Sequence, residues 1–81
     1  MATIVILGSG DRMNLASETP LDDALPIARK QDRAQYVAEH WLSTTGRPAC
    51  HWWIEDCDGF AVVRGTSRIV GGIINHNLLE L

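Results

Sequence analysis

Cys50, Cys57, His40, His51 and His76 are residue types that bind zinc, and a cysteine oriented by a histidine can act as a nucleophile. Their spacing argues against both uses. Cysteines seven residues apart do not form a tight zinc knuckle, and adjacent Cys50 and His51 point to opposite faces if they lie in a strand. In a hairpin the two cysteines would sit on the order of 20 Å apart, at about 3.3 Å per residue, too far for a disulfide or a shared ion. Glu55, Asp56 and Asp58 are carboxylates of the kind that general acid–base chemistry uses, yet their place around a turn suits solubility and turn formation better. Gly8-Ser9-Gly10 invites a nucleotide-binding reading, but Met13 stands where the third glycine belongs and no Lys-Ser or Lys-Thr pair follows. The expectation is therefore a noncatalytic protein with no metal and no cofactor.

The more informative residues are the aromatics of the segment that carries these cysteines. Cys50 to Glu55 and Phe60 to Arg64 read as strands paired around Asp56 to Gly59, and Asp58-Gly59 is a strong signal for a two-residue hairpin turn. That register sets Cys57 opposite Phe60, Glu55 opposite Val62, Ile54 opposite Val63 and Trp53 opposite Arg64. Alternation then places Cys50, Trp52, Ile54, Ala61 and Val63 on one face, with His51, Trp53, Glu55, Phe60, Val62 and Arg64 on the other.

One long amphipathic element is available to cover a face. Asp32 to Thr45 reads as a helix, with Asp32 as cap and Gln35 completing a capping box. Ala34, Val37, Ala38, Trp41 and Leu42 form its apolar stripe, Gly46 ends it and Pro48 prevents its resumption. Thr3 to Leu7 is a β-branched run that reads as a buried strand ended at Gly8-Ser9-Gly10-Asp11. Arg12 to Leu25 reads as a loop with one helical turn from Leu21 to Leu25, and Pro26 to Lys30 as a short edge strand. Ser67 to Val70 reads as a further edge strand. Ile73 to Leu81 docks along the sheet or meets a partner.

The expected fold class is thus α+β: one amphipathic helix packed on a small, mainly antiparallel sheet of three to five strands with a central hairpin, in a single domain over residues 1–81. A chain of this length buries only roughly 60–65% of its extended surface, so any function sits on a surface or shallow cleft. With seven Lys and Arg against ten Asp and Glu, a formal net charge of -3, the chain lacks the positive field of a general nucleic-acid binder and is too mildly acidic to imitate a phosphate backbone. Arg29, Lys30 and Arg33 form a short basic patch. The start of the chain has no basic leader and the longest apolar stretch, Ile69 to Ile74, falls well short of a membrane span, so a reduced cytoplasmic setting without membrane contact is expected.

Because both hairpin faces carry large apolar groups, the helix covers one and leaves the other either beneath the C-terminal segment, as ordinary core, or open to a partner. In the second case His51, Trp53, Glu55, Phe60, Val62 and Arg64 make a protein-binding surface, with Tyr36 and His40 on the helix as secondary contacts. The expected role is then protein binding, of the kind by which a phage or mobile-element inhibitor occludes a host complex. Homodimerisation through the same face or an exposed edge strand is a related alternative. A single-stranded RNA or DNA binder using Trp53, Phe60 and His51 as stacking platforms beside Arg64 and Arg68 is the alternative from another class.

Overall fold

In the computed structural model, which describes residues 1–8 and 16–79, the apolar stripe foreseen on the helix is its buried side. Ala34, Ala38 and Leu42 are fully enclosed and Trp41 nearly so. The helix, α1, spans Ile27–Thr45 and follows β1 (Ala2–Gly8) and β2 (Ala16–Leu21); β3 (Ala49–Glu55), β4 (Ala61–Val70) and β5 (Ile73–Leu79) complete the chain. The five strands form one antiparallel sheet in the order β2-β1-β3-β4-β5, with α1 packed on one face. The α+β class, the single helix and the central place of the Trp-rich hairpin are as the sequence indicates.

Several local expectations are corrected. Pro26 to Lys30 is not an edge strand: Pro26 is the residue flanking the helix, its carbonyl accepts the N–H groups of Arg29 and Lys30 at 3.0 Å each, and α1 runs on from Ile27. Asp32 consequently lies inside the helix and is not its cap. Ala28, Arg29, Lys30 and Gln31 are good helix formers, and no apolar stripe marks this exposed first turn and a half. At the other end Gly46 takes φ 71° and donates its N–H to the Leu42 carbonyl, as a left-handed terminator does.

The stretch before the helix holds an additional strand. β2 pairs with β1 from Ala2 opposite Leu21 to Leu7 opposite Ala16. Pro20 is tolerated there because an edge strand needs only one row of backbone hydrogen bonds. The turn that follows begins at Asp22, whose Oδ1 accepts the Ala24 N–H at 2.9 Å. Of the Gly8-Ser9-Gly10-Asp11 turn, residues 9 onward and Met13 lie outside the described residues, as do the final two residues of the chain.

β4 is also longer than its sequence suggests. Ser67 to Val70 is its continuation, and Gly71-Gly72, with φ 58° and 80°, is the two-residue turn into β5. The C-terminal segment is thus the sheet's second edge strand, paired in continuous register from Val70 opposite Ile73 to Arg64 opposite Leu79. It extends the sheet sideways instead of folding over it.

At the centre of the core Trp52 is fully buried on the helix-side face, opposite Gly65 in the register. A Cβ built on Gly65 would stand 2.3 Å from the Trp52 ring, so the indole lies directly on that glycine. Trp41 uses Gly8 similarly, with a built Cβ 2.7 Å from its ring. The indole nitrogen of Trp52 donates to Ser67 Oγ at 3.0 Å, which satisfies the polar edge of the largest enclosed side chain. Replacing Gly65 with alanine should destabilise the fold by about 1–3 kcal/mol or more through overpacking. Ser67→Ala should cost about 1–3 kcal/mol by stranding the indole N–H. Urea titration reads both, and wild-type midpoints in both variants would contradict this packing.

Candidate functional site

The hairpin loop decides which aromatics share a face. Gly59 N–H donates to the Asp56 carbonyl at 3.0 Å and Asp56 N–H to the Phe60 carbonyl at 2.9 Å, so the loop has three residues, Cys57 to Gly59, instead of two. Asp56 Oδ1 takes the N–H groups of Asp58 and Phe60 at 2.9 and 3.0 Å, and Gly59 supplies the left-handed position with φ 86°. Asp56 therefore faces Phe60 and Glu55 faces Ala61, one step off the expected pairs. A bulge after Ile54 absorbs the extra residue and restores Ile54 opposite Val63 and Trp53 opposite Arg64.

Two expected members leave the face for this reason. Phe60 stands outside β4 at the hairpin end, 70% exposed and out of phase with Trp53, while Val62 packs with Val63 against the helix-side core. His51, Trp53, Glu55 and Arg64 remain together. Val5, opposite Trp53 on the other side, joins them, as do Thr66 opposite His51 and Arg68 opposite Ala49. On β5 Asn75 and Asn77 continue the same face, opposite Arg68 and Thr66. Among the described residues no helix or strand covers this surface, so the arrangement with the C-terminal segment folded over it is not the one adopted.

Along β3 the exposed row is held by its own contacts. The His51 and Trp53 rings meet edge to face, with centroids 6.0 Å apart at 88°. Trp53 Nε1 donates to Glu55 Oε2 at 3.2 Å. Burial, reinforced by the Arg64 charge, pulls the His51 imidazole below its ordinary range. Its Nε2 is enclosed without a hydrogen-bond partner among the described residues. The face thus presents a fixed indole flanked by a neutral imidazole, a carboxylate and a guanidinium. Tyr36 is exposed on α1 and lines a shallow cleft of about 540 Å³ with Pro20, Leu25 and Arg33; His40 is exposed further along the helix. Neither belongs to the open face, since α1 lies on the other side of the sheet.

Cys50 is buried at one end of β3, where enclosure pushes its thiol up to about 11 against a weaker lowering by a backbone hydrogen bond at Ser67; Cys57 is exposed in the loop at the other end. A buried neutral thiol is a poor nucleophile. Among the described residues no three His, Cys, Asp or Glu side chains gather as a metal site.

The polar chain that sequence reasoning missed runs beneath α1. Ser67 Oγ is 2.6 Å from His76 Nδ1, and His76 Nε2 is 3.1 Å from Glu39 Oε1. With His76 neutral and protonated at Nε2, Trp52 donates to Ser67, Ser67 to His76 and His76 to Glu39, so every hydrogen has an acceptor. A serine, a histidine and a carboxylate in line have the composition of a hydrolase triad, but Ser67 is fully buried and its oxygen already accepts from the indole. The chain ties β5 and α1 to the central tryptophan. Its sequence signal is the matching alternation of β4 and β5, which needs their pairing across Gly71-Gly72 to become visible.

Compared with known proteins, the chain matches no family model, no curated protein and no solved structure. No helix among the described residues is long and apolar enough to cross a membrane.

The lowered pKa of His51 couples folding to pH. The unfolded chain binds this proton first as pH falls, so the contribution is present above the ordinary value of 6.5 and is lost as pH drops toward the folded value. Unfolding free energy measured between pH 7.5 and 5 should fall less steeply in His51→Gln than in the wild type. Identical slopes would contradict the assignment.

Proposed function

We propose that the protein is a noncatalytic binding module that holds a protein partner against the open face of its sheet, with Trp53 as anchor and Arg64, His51 and Glu55 as its polar surround. The observation that carries this reading is a face with an indole at its middle and no covering element among the described residues. Trp and Arg concentrate binding energy because they join large contact area to directed polar contacts. The half-buried Trp53 is already ordered by His51 and Glu55, so little of its freedom remains to be lost on docking. Occupying a surface is the means by which a binder without chemistry acts, so steric occlusion of a partner complex, as by a phage or mobile-element inhibitor, is the outcome this reading implies.

A second reading draws on a specific feature of the same face. Arg64, Thr66 and Arg68 alternate along β4 beside Asn75 and Asn77, with the His51–Trp53 pair one strand away. Cations, amides and π-faces in that order suit a single nucleic-acid strand. Glu55 on the same face and the formal charge of -3 weigh toward the protein partner.

Affinity capture from a host lysate with wild type, Trp53→Ala and Arg64→Ala distinguishes them. A protein retained by the wild type should be lost on truncating Trp53, at about 2 kcal/mol or roughly thirtyfold in affinity. Both variants folded and binding as the wild type would overturn the reading. Salt-sensitive retention of labelled single-stranded RNA, lost in Arg64→Ala and Arg68→Ala, would favour the second.

A further inference from the structure

The sheet has two free edges, and they are not alike. β2 carries Glu18 and Pro20 within its six residues and leads directly into Asp22 and Asp23. A proline without an N–H and inward or flanking charges are the devices that stop an edge from adding another strand. Within its own span β5 has none of them, and the one charged residue beside it in the sequence is Glu80. Its seven residues, Ile73-Ile74-Asn75-His76-Asn77-Leu78-Leu79, include no charge of fixed sign, no proline and no glycine, and its pairing with β4 contains no bulge. Ile73, Leu78 and Leu79 are 68%, 53% and 39% exposed along it.

The order of those residues says what fits the edge. Read outward from His76, the strand is self-complementary: an amide on each side, then an aliphatic pair on each side. We propose that two copies of the chain pair β5 against β5 in antiparallel register, about a two-fold axis at His76, to form one ten-stranded sheet. In that register Asn75 faces Asn77 of the second copy, Ile74 faces Leu78 and Ile73 faces Leu79, so every apolar side chain opposite another is apolar and every amide meets an amide. A slip by one residue would turn each side chain toward the wrong face of its neighbour.

Alternation fixes the rest of the assembly. Ile74, His76 and Leu78 lie on the helix side, opposite Ile69, Ser67 and Gly65, and Ile73, Asn75, Asn77 and Leu79 lie on the open side. A two-fold axis perpendicular to the sheet therefore places both helices on one face and joins the two open faces into one. Each His76 is turned toward its own Ser67 and Glu39, which keeps the two rings on the axis engaged within their own subunits.

Sedimentation equilibrium across micromolar to sub-millimolar concentrations tests the pairing on the full chain, with far-UV circular dichroism confirming the fold of each variant. Wild type should show a monomer–dimer equilibrium. Ile73→Glu alone and Leu79→Lys alone should each weaken it about tenfold or more, because a charge then faces an aliphatic partner at both ends of the seam. Mixing the two variants should restore the dimer, since the new carboxylate meets the new ammonium at one end while the native pair survives at the other. Trp53→Ala, on the open face, should leave the dimer intact. A wild-type monomer at every concentration, a dimer indifferent to the β5 changes, failure of the mixture to recover, or loss of the dimer in Trp53→Ala would each overturn the proposal.

Discussion

The seating of one indole on one glycine organises this small protein. Trp52 is the largest enclosed side chain, and it can occupy the middle of the helix-side face only because the residue across the strand, Gly65, has no side chain to displace it. Its ring contributes the area that a chain of this size must concentrate to fold, and its N–H finds Ser67 in place of water. From Ser67 the hydrogen bonds continue through His76 to Glu39, so the same contact ties the outer strand and the helix to the centre. Moving β4 by one residue against β3 would remove the glycine, the serine and the aliphatic partner of Ile54 together.

That constraint determines what the other face looks like. Neighbouring residues in a strand point opposite ways, so locking Trp52 inward turns Trp53 outward. One helix of 19 residues covers one side of a five-stranded sheet, and nothing comparable among the described residues covers the other. The open side is not simply a second core left bare. Its centre is apolar, with Val5 6% exposed beside Trp53, while His51, Glu55, Arg64 and Thr66 surround it with hydrogen-bonding groups. This mixture of anchor and polar rim is what recognition surfaces share and what interiors avoid.

Much of this was legible in the residues, and the failures have physical reasons. The pairing of Trp53 with Arg64 and of Ile54 with Val63 follows from Asp58-Gly59 and alternation, although it survives by compensation: a loop one residue longer than expected is cancelled by a bulge at Val62. The cancellation moved Phe60 and Val62 off the face, which alternation alone has no means to foresee. β2 was hidden because Ser17, Glu18 and Pro20 around Thr19 have little intrinsic strand character, and the segment is held by β1 rather than by its own preference. The first turns of α1 bury no stripe, so periodicity detected the helix only from its packed part. Gly65 is the socket for an indole, and Gly71 and Gly72 form a turn whose φ angles only glycine adopts readily.

The two adjacent tryptophans of β3 live in different environments, Trp52 sealed and Trp53 accessible, and both faces of the sheet depend on that difference. Hydrogen exchange at the indole nitrogens, followed by NMR on protein labelled with nitrogen-15 tryptophan and assigned with Trp→Phe variants, measures it directly. The Trp52 indole hydrogen should exchange orders of magnitude more slowly than that of Trp53, because it is enclosed and bonded to Ser67 while its neighbour's bond to Glu55 lies at a half-open surface. Equal protection of the two, or faster exchange at Trp52, would contradict the account.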